Sequence, residues 1–225
     1  MYPSVGMRGL RAYARWWLPR HADVSLVGLE HLPQSGPVLL IARHYHHAID
    51  GAVLLAQLPR PVHIVVALDW ARSAAERVRM ERACRWAAWP VILRPARARE
   101  SAAYHPSETG AYVRRGLRDA AELLRAERVV AVFPEGYPAV DATGRAPAPG
   151  SRDAGGLLPF GEGFRVIARC AERGGSATIP IVPFGLHYES SHERWHVRAA
   201  FGAALSSQTS TTDLQRIVGE LSTAG

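Results

Sequence analysis

The stretch "LLIARHYHHAIDGAVLL", residues 39–55, crowds three histidines and one aspartate between two apolar runs. Imidazole titrates near neutrality, so a histidine here can take a proton from a hydroxyl. A carboxylate on its other ring nitrogen would orient the ring and stabilise the imidazolium that forms. Asp50 is the nearby carboxylate. His46 precedes it by four residues, one helical turn, so the two can share a face. His44 stands directly at the end of the first apolar run and reaches Asp50 if the link folds back. His47 suits a place near the N-cap of a helix. His44, His46 and Asp50 also form an HxH set of the kind that binds zinc. Metallohydrolases of that type place the aspartate two residues after the second histidine, which this chain does not do, so no metal is expected.

Polar groups follow other apolar runs. Arg94 and Arg97 come just after "PVIL", and a guanidinium offers a planar fork that matches phosphate oxygens. In "VVAVFPEGYP" a strand ends at Phe133 and a turn follows. Pro134 and Gly136 shape that turn. Glu135 projects at the sheet edge, where it can accept hydrogen bonds from a hydroxylated substrate or brace an arginine. "IPIVPFGLHY" places Pro183 in another apolar run.

These groups need elements to hold them. "DVSLVGL" begins with a short alternating strand. "PVLLIA" (37–42) is continuously apolar, as expected of a strand buried on both faces. "VHIVVAL" (62–68), "PVILR" (90–94) and "RVVAVF" (128–133) read as further strands. "TIPIVPFGLHY" reads as a strand broken by prolines, and "WHVRAAFG" as one more. Helices fit residues 7–20, 50–58, 70–88, 108–127 and 211–223, and "EGFRVIARCAERGG" fits a helix ending at its glycine pair. Residues 137–158, rich in Gly, Pro, Ala and Asp, read as a mobile loop. Strands alternating with helices imply an α/β fold, with a mostly parallel central sheet flanked by helices in a single domain. In such sheets sites form beyond the carboxyl ends of the strands.

Residues 1–22 are set apart as an N-terminal basic amphipathic helix, and 23–225 carry the domain. In "MRGLRAYARWWLPR", Leu10, Tyr13, Trp17 and Leu18 can share one face while four arginines lie largely elsewhere. A basic helix with two tryptophans suits the water–lipid boundary.

The chain of 225 residues is 48 % apolar, enough for one sizeable core. Its two cysteines, Cys84 and Cys170, make a disulfide scaffold or cysteine zinc site unexpected and point to a reducing cytosol. The formal charge of +7 favours an anionic partner: a phospholipid surface, an acidic carrier or nucleic acid. No apolar run nears the ~20 residues that span a bilayer, and no signal peptide is evident.

Taken in order, the blocks resemble the glycerolipid acyltransferase family, the 1-acyl-glycerol-3-phosphate acyltransferase-like enzymes, from about residue 24 to about 205. "VSLVGLEHLPQSGPVLLIARH" is similar to the family's entry strand, turn and buried strand. "WPVILR" is similar to its second block, "VFPEG" to its third and "IPIVPFGL" to its fourth. "LPFGEGFRVIA" resembles the next segment, where the family often has a lysine in place of Gly161 or Glu162. The first block departs. The family has a histidine, four residues, then an aspartate; counting back from Asp50, that place is Tyr45. His44 leaves one residue too many and His46 one too few, so both stay candidates, with His47 third. The basic residue that commonly follows the Glu-Gly turn is also missing, since the chain reads "FPEGYP".

The resemblance implies a histidine base paired with Asp50, and an acceptor held by Arg94, Phe133, Pro134, Glu135 and Gly136, with His47, Arg97 and Pro183 as further candidates. It implies transfer of a fatty acyl group from acyl-CoA or acyl-ACP to a lysophospholipid or glycerol-phosphate-like hydroxyl. The acyl thioester is a co-substrate and no cofactor is expected. A cytoplasmic protein, peripheral at the inner membrane face, follows from that substrate, with acyl carrier protein a further partner. A non-phosphorylated acceptor, a thioester or lipid hydrolase on the same fold, and a nucleic-acid-binding module are the alternatives. No reading helix or aromatic RNA platform supports the last.

Overall fold

The computed structural model describes residues 5–140, 152–153, 156–173, 178–190 and 194–223. Among the described residues the strands are β1 (Ala22–Val27), β2 (Val38–Ala42), β3 (Val62–Ile64), β4 (Val66–Ala67), β5 (Val91–Ile92), β6 (Val129–Val132), β7 (Ile181–Ser190) and β8 (Trp195–Phe201). The α-helices are α1 (Val5–Trp17), α2 (Ile49–Gln57), α3 (Ala74–Ala87), the single turn α4 (Pro95–Ala98), α5 (Thr109–Arg125), α6 (Gly163–Arg173) and α7 (Thr211–Thr223). Six strands form one sheet in the order β1-β8-β7-β2-β6-β3, and every pairing is parallel except β7 with β8.

β2 sits at the centre of this sheet with both faces covered, so all five of its residues are buried. Successive side chains point to opposite faces. Val38, Leu40 and Ala42 therefore join the core that includes α2 residues Val53 and Leu54. Leu39 and Ile41 join the core on the other face, with Leu124 of α5, Phe164 and Ile167 of α6, and Leu214 of α7. The run of aliphatic residues without alternation is thus the signature of two cores meeting at one strand.

Two expected strands differ. "VHIVVAL" divides after Ile64: β3 pairs with β6 in the main sheet, while β4 leaves it. β4 pairs instead with β5, so "PVILR" contributes to a two-stranded sheet beside the main one. This small sheet and α3 share a core of Leu68, Ala71, Cys84 and Leu93. β7 is continuous over ten residues and is not broken by Pro183. The β8 pairing ends at Phe184 opposite Phe201, and Gly202 N–H then donates to the Pro183 carbonyl at 2.9 Å. Pro183 lies where the ladder no longer needs its missing N–H.

The helix α1 turns Met7 and Ala14 inward against Leu55 of α2. Tyr13 is exposed along with Val5 and Trp16, so the buried face differs from the one expected. Most of the 137–158 loop, and the glycine pair at 174–175, fall outside the described residues.

Gly185 of β7 lets α7 approach closely. A Cβ there would stand 2.4 Å from the Leu221 carbonyl carbon and 2.5 Å from its Cβ. Both atoms belong to a packed helix, so relief requires α7 to shift. Gly185→Ala is expected to lower stability by ~2 kcal/mol, read as a reduced urea midpoint with an unchanged m-value.

Candidate active site

β2 ends at Ala42, and the chain runs through Arg43 and His44 into a turn before α2. Asp50 lies in the first turn of α2 and is fully buried. Its carboxylate is surrounded by donors. His44 Nδ1 stands 2.8 Å from Oδ2, Tyr45 N–H donates to Oδ2 at 2.7 Å, and His46 N–H donates to Oδ2 at 3.0 Å and Oδ1 at 3.1 Å. The Tyr188 hydroxyl, from the part of β7 that runs past the end of β2, donates to Oδ1. Burial and the adjacent Asp50 push the Tyr188 hydroxyl up, so it stays a donor. Five hydrogen bonds from four donor groups therefore satisfy this buried carboxylate.

The three histidines now separate. His44 is the ring on Asp50. Because an ionised carboxylate only accepts, Nδ1 carries the proton and Nε2 holds the lone pair. The ring also lies over Phe133, with centroids 4.5 Å apart. His46 points elsewhere: its Nδ1 accepts from Ala48 N–H at 3.2 Å and Ile49 N–H at 3.3 Å, so it caps α2. The capping place expected of His47 belongs to His46. Burial lowers the His46 pKa, which keeps that nitrogen an acceptor. His47 is exposed and stacks on His46 at 4.8 Å. The six-residue step from His44 to Asp50 is absorbed in the turn between β2 and α2. There Tyr45 swings out to stack on Tyr188 at 4.4 Å.

The Phe133–Gly136 turn follows β6, the neighbour of β2, so it arrives at the same end of the sheet. Glu135 is buried and Gly136 adopts φ of 71°, a left-handed conformation suited to glycine. Glu135 Oε1 accepts from His44 N–H at 2.7 Å. Oε2 accepts from Leu158 N–H at 2.9 Å and from Arg152 Nη1 at 3.1 Å. Of the two roles foreseen for Glu135, the described contacts are those of a brace. Burial pushes its carboxyl up, while the two N–H groups, Arg152 and His44 pull it back. The backbone beyond the turn also grips the histidine segment: Ala139 N–H donates to His44 O at 3.1 Å and Val140 N–H to Tyr45 O at 2.6 Å.

Arg94 follows β5 and reaches the same turn. Its Nε donates to Asp69 Oδ2 at 2.9 Å, its Nη2 also bonds Asp69, and its Nη1 donates to the Gly136 carbonyl. Tyr137 lies against the guanidinium, 4.1 Å from its centroid, and Arg97 sits 5.5 Å from the same ring. Arg97 also pairs with Glu100 at 3.0 Å. Pro183 lies opposite Ile41 in the sheet, below the strand ends rather than among the polar groups.

Four contributors were not singled out from sequence. Asp69 ends "VHIVVAL" and is a polar residue after an apolar run, so the signal was present. Tyr188 closes "PFGLHY" in the same way. Arg43 precedes His44 and is buried. Its guanidinium lies 5.1 Å from the Tyr45 ring, Nη1 donates to Leu186 O at 3.3 Å, and burial lowers its pKa. Arg152 comes from a segment with no periodic pattern, so nothing local marks it. Among the described residues no three His, Cys, Asp or Glu side chains converge as a metal set. A cavity of about 390 Å³ between α3 and α5, lined by Trp89, Tyr112 and Leu123, includes none of the His44, Asp50 or Glu135 groups.

A carboxylate-oriented imidazole thus stands beyond the carboxyl ends of parallel strands, the place where sites form in sheets of this kind. The chain belongs to the Acyltransferase family, whose profile matches residues 23–187, as the glycerolipid acyltransferase resemblance of its motifs implied. Among solved structures it is similar to the 1-acyl-sn-glycerophosphate (LPA) acyltransferase PlsC from Thermotoga maritima. The TM-score is 0.57 at 15 % identity, covering 95 % of this chain and 77 % of that one. That likeness is one of fold. No curated protein matches the chain. Among the described residues no helix is long and apolar enough to cross a membrane.

Proposed function

We propose that the protein moves a fatty acyl group from an acyl thioester, acyl-CoA or acyl-ACP, to a hydroxyl of a lysophospholipid or glycerol-phosphate-like acceptor. The observation that carries this reading is the His44–Asp50 pair, with Nε2 left as the basic nitrogen beside the Glu135 turn. Nε2 takes the proton of the acceptor hydroxyl as its oxygen attacks the thioester carbonyl. Asp50 stabilises the imidazolium. The tetrahedral intermediate expels the thiolate, which takes the proton back from His44. No acyl-enzyme is required. General-base assistance supplies ~10²–10⁴-fold, and positioning supplies more.

Arg94 is the proposed contact for the acceptor phosphate. Asp69, Gly136 and Tyr137 fix its plane, as bidentate recognition requires. The outer surface of α1 and α3 supports an anionic membrane as the working site. Val5, Tyr13, Trp16 and Trp86 are exposed there beside the exposed Arg8, Arg15, Arg82 and Arg85. In this reading the protein is peripheral at the inner membrane face.

The test is incubation with acyl-CoA or acyl-ACP and a panel of lysolipids, glycerol phosphates and plain alcohols on anionic vesicles, followed by mass spectrometry. An esterified product appearing together with free thiol supports the reading. Thiol release without esterified acceptor identifies a hydrolase, and no thiol release with any acceptor overturns acyl transfer.

A further inference from the structure

The Phe-Pro-Glu-Gly turn lacks a basic residue directly after it, yet Glu135 is buried and has a cation against it. That cation is Arg152, 17 residues further along the chain. Its fork closes on three groups at once. Nη1 donates to Glu135 Oε2 at 3.1 Å and to Gly156 O at 2.9 Å, and Nη2 donates to Pro138 O at 3.2 Å. Glu135 lies within the turn and Pro138 just beyond it, so one guanidinium ties both.

The segment bearing Arg152 is itself anchored. Asp153 Oδ1 accepts from Leu157 N–H at 2.9 Å, and Gln215 of α7 donates to Asp153 Oδ2 at 2.9 Å. Gln215 also accepts from Phe160 N–H at 3.0 Å. The other oxygen of Glu135 holds the backbone of His44. A path of direct contacts therefore runs from α7 through Arg152 and Glu135 to the base.

We propose that Arg152 is a positioning residue for acyl transfer: by tying Glu135 to Pro138 and Gly156 it fixes the carboxylate that holds the His44 backbone, and so sets the place and charge environment of His44. This role rests on the acyl-transfer reading above. The cation on Glu135 thus comes from a distant point in the chain rather than from the residue after the turn. The groups facing Glu135 are Arg43 and His44 from the end of β2, and Arg152 with Leu158 N–H from the anchored segment; Asp50 lies beyond His44. An ionised Glu135 favours the imidazolium formed during the reaction. A buried carboxyl that loses its cation takes up a proton at higher pH, and that support is lost first on the acid side.

The experiment compares Arg152→Gln and Arg152→Lys in the full-length protein, each with and without Glu135→Gln. Arg152→Gln is expected to lower kcat ~10²-fold at neutral pH with little change in KM. The acid limb of its pH profile should move up by about one pH unit, with activity partly recovered at high pH. Arg152→Lys keeps the charge and should hold the limb near its original place, and it remains informative if the glutamine variant fails to fold. In the Glu135→Gln background the Arg152 effect on the limb should vanish. The carboxyl carbon of Glu135, followed by NMR, should titrate higher in Arg152→Gln whatever the activity. An acid limb and a Glu135 titration both unmoved in Arg152→Gln overturn the proposal, as does an equal loss at every pH. Wild-type protein that transfers no acyl group overturns the acyl-transfer reading instead, and the Glu135 titration then still decides whether Arg152 sets its charge.

Discussion

His44→Ala is expected to lower kcat/KM by ~10³-fold, whereas His46→Ala should leave it within ~10-fold of wild type. The contrast follows from what each ring touches. His44 keeps Nε2 as its basic nitrogen because Nδ1 is committed to Asp50. His46 has turned its Nδ1 toward the Ala48 and Ile49 N–H groups, so it serves the start of α2. Losing it removes a helix cap and costs ~1 kcal/mol of stability, with a lower melting temperature as the readout. Steady-state kinetics on both variants, alongside thermal melts, separate the two roles. A large kinetic loss in His46→Ala with an active His44→Ala would reverse the assignment.

Asp50→Asn is expected to remove activity more completely, by ~10³–10⁴-fold in kcat, and to weaken the fold as well. The amide presents its own N–H₂ to a site built only of donors. At least one of the Tyr45, His46 or His44 donors then faces another donor, and His44 loses the partner that selects its tautomer. Leaving buried polar groups unpaired costs ~3 kcal/mol. Asp50 is therefore expected to carry both the chemistry and the β2–α2 junction. Paired kinetics and urea unfolding test this: a variant that is inactive but of native stability contradicts the second half, and one that is destabilised but active contradicts the first.

Much of the site was legible because each part follows an apolar run at a strand end. The unbroken aliphatic runs before His44 and Phe133 marked both as strands, and the structure adds that the two are neighbours in the sheet. The choice between His44 and His46 was not legible. One residue of spacing decides it, and the turn that absorbs that residue is set by Tyr45 stacking on Tyr188 from a strand 138 residues beyond Asp50. Local spacing favoured His46, and tertiary contacts gave the ring to His44. The departure of β4 and β5 from the main sheet was hidden for a related reason. "VHIVVAL" is apolar throughout, and a run of that kind does not mark the point where pairing changes partner. Arg152 was beyond reach because no local spacing or periodicity pairs it with a carboxylate 17 residues earlier in the chain.

The stack of His44 on Phe133 ties the proposed base to two different strands. Its carboxylate partner comes from the helix after β2, and its aromatic floor comes from the end of β6. The imidazole thus keeps its orientation against both partners only while these two neighbouring strands stay in register. Heating should then extinguish turnover and dissolve the middle of the sheet in one event, rather than silencing the enzyme first and unravelling it later.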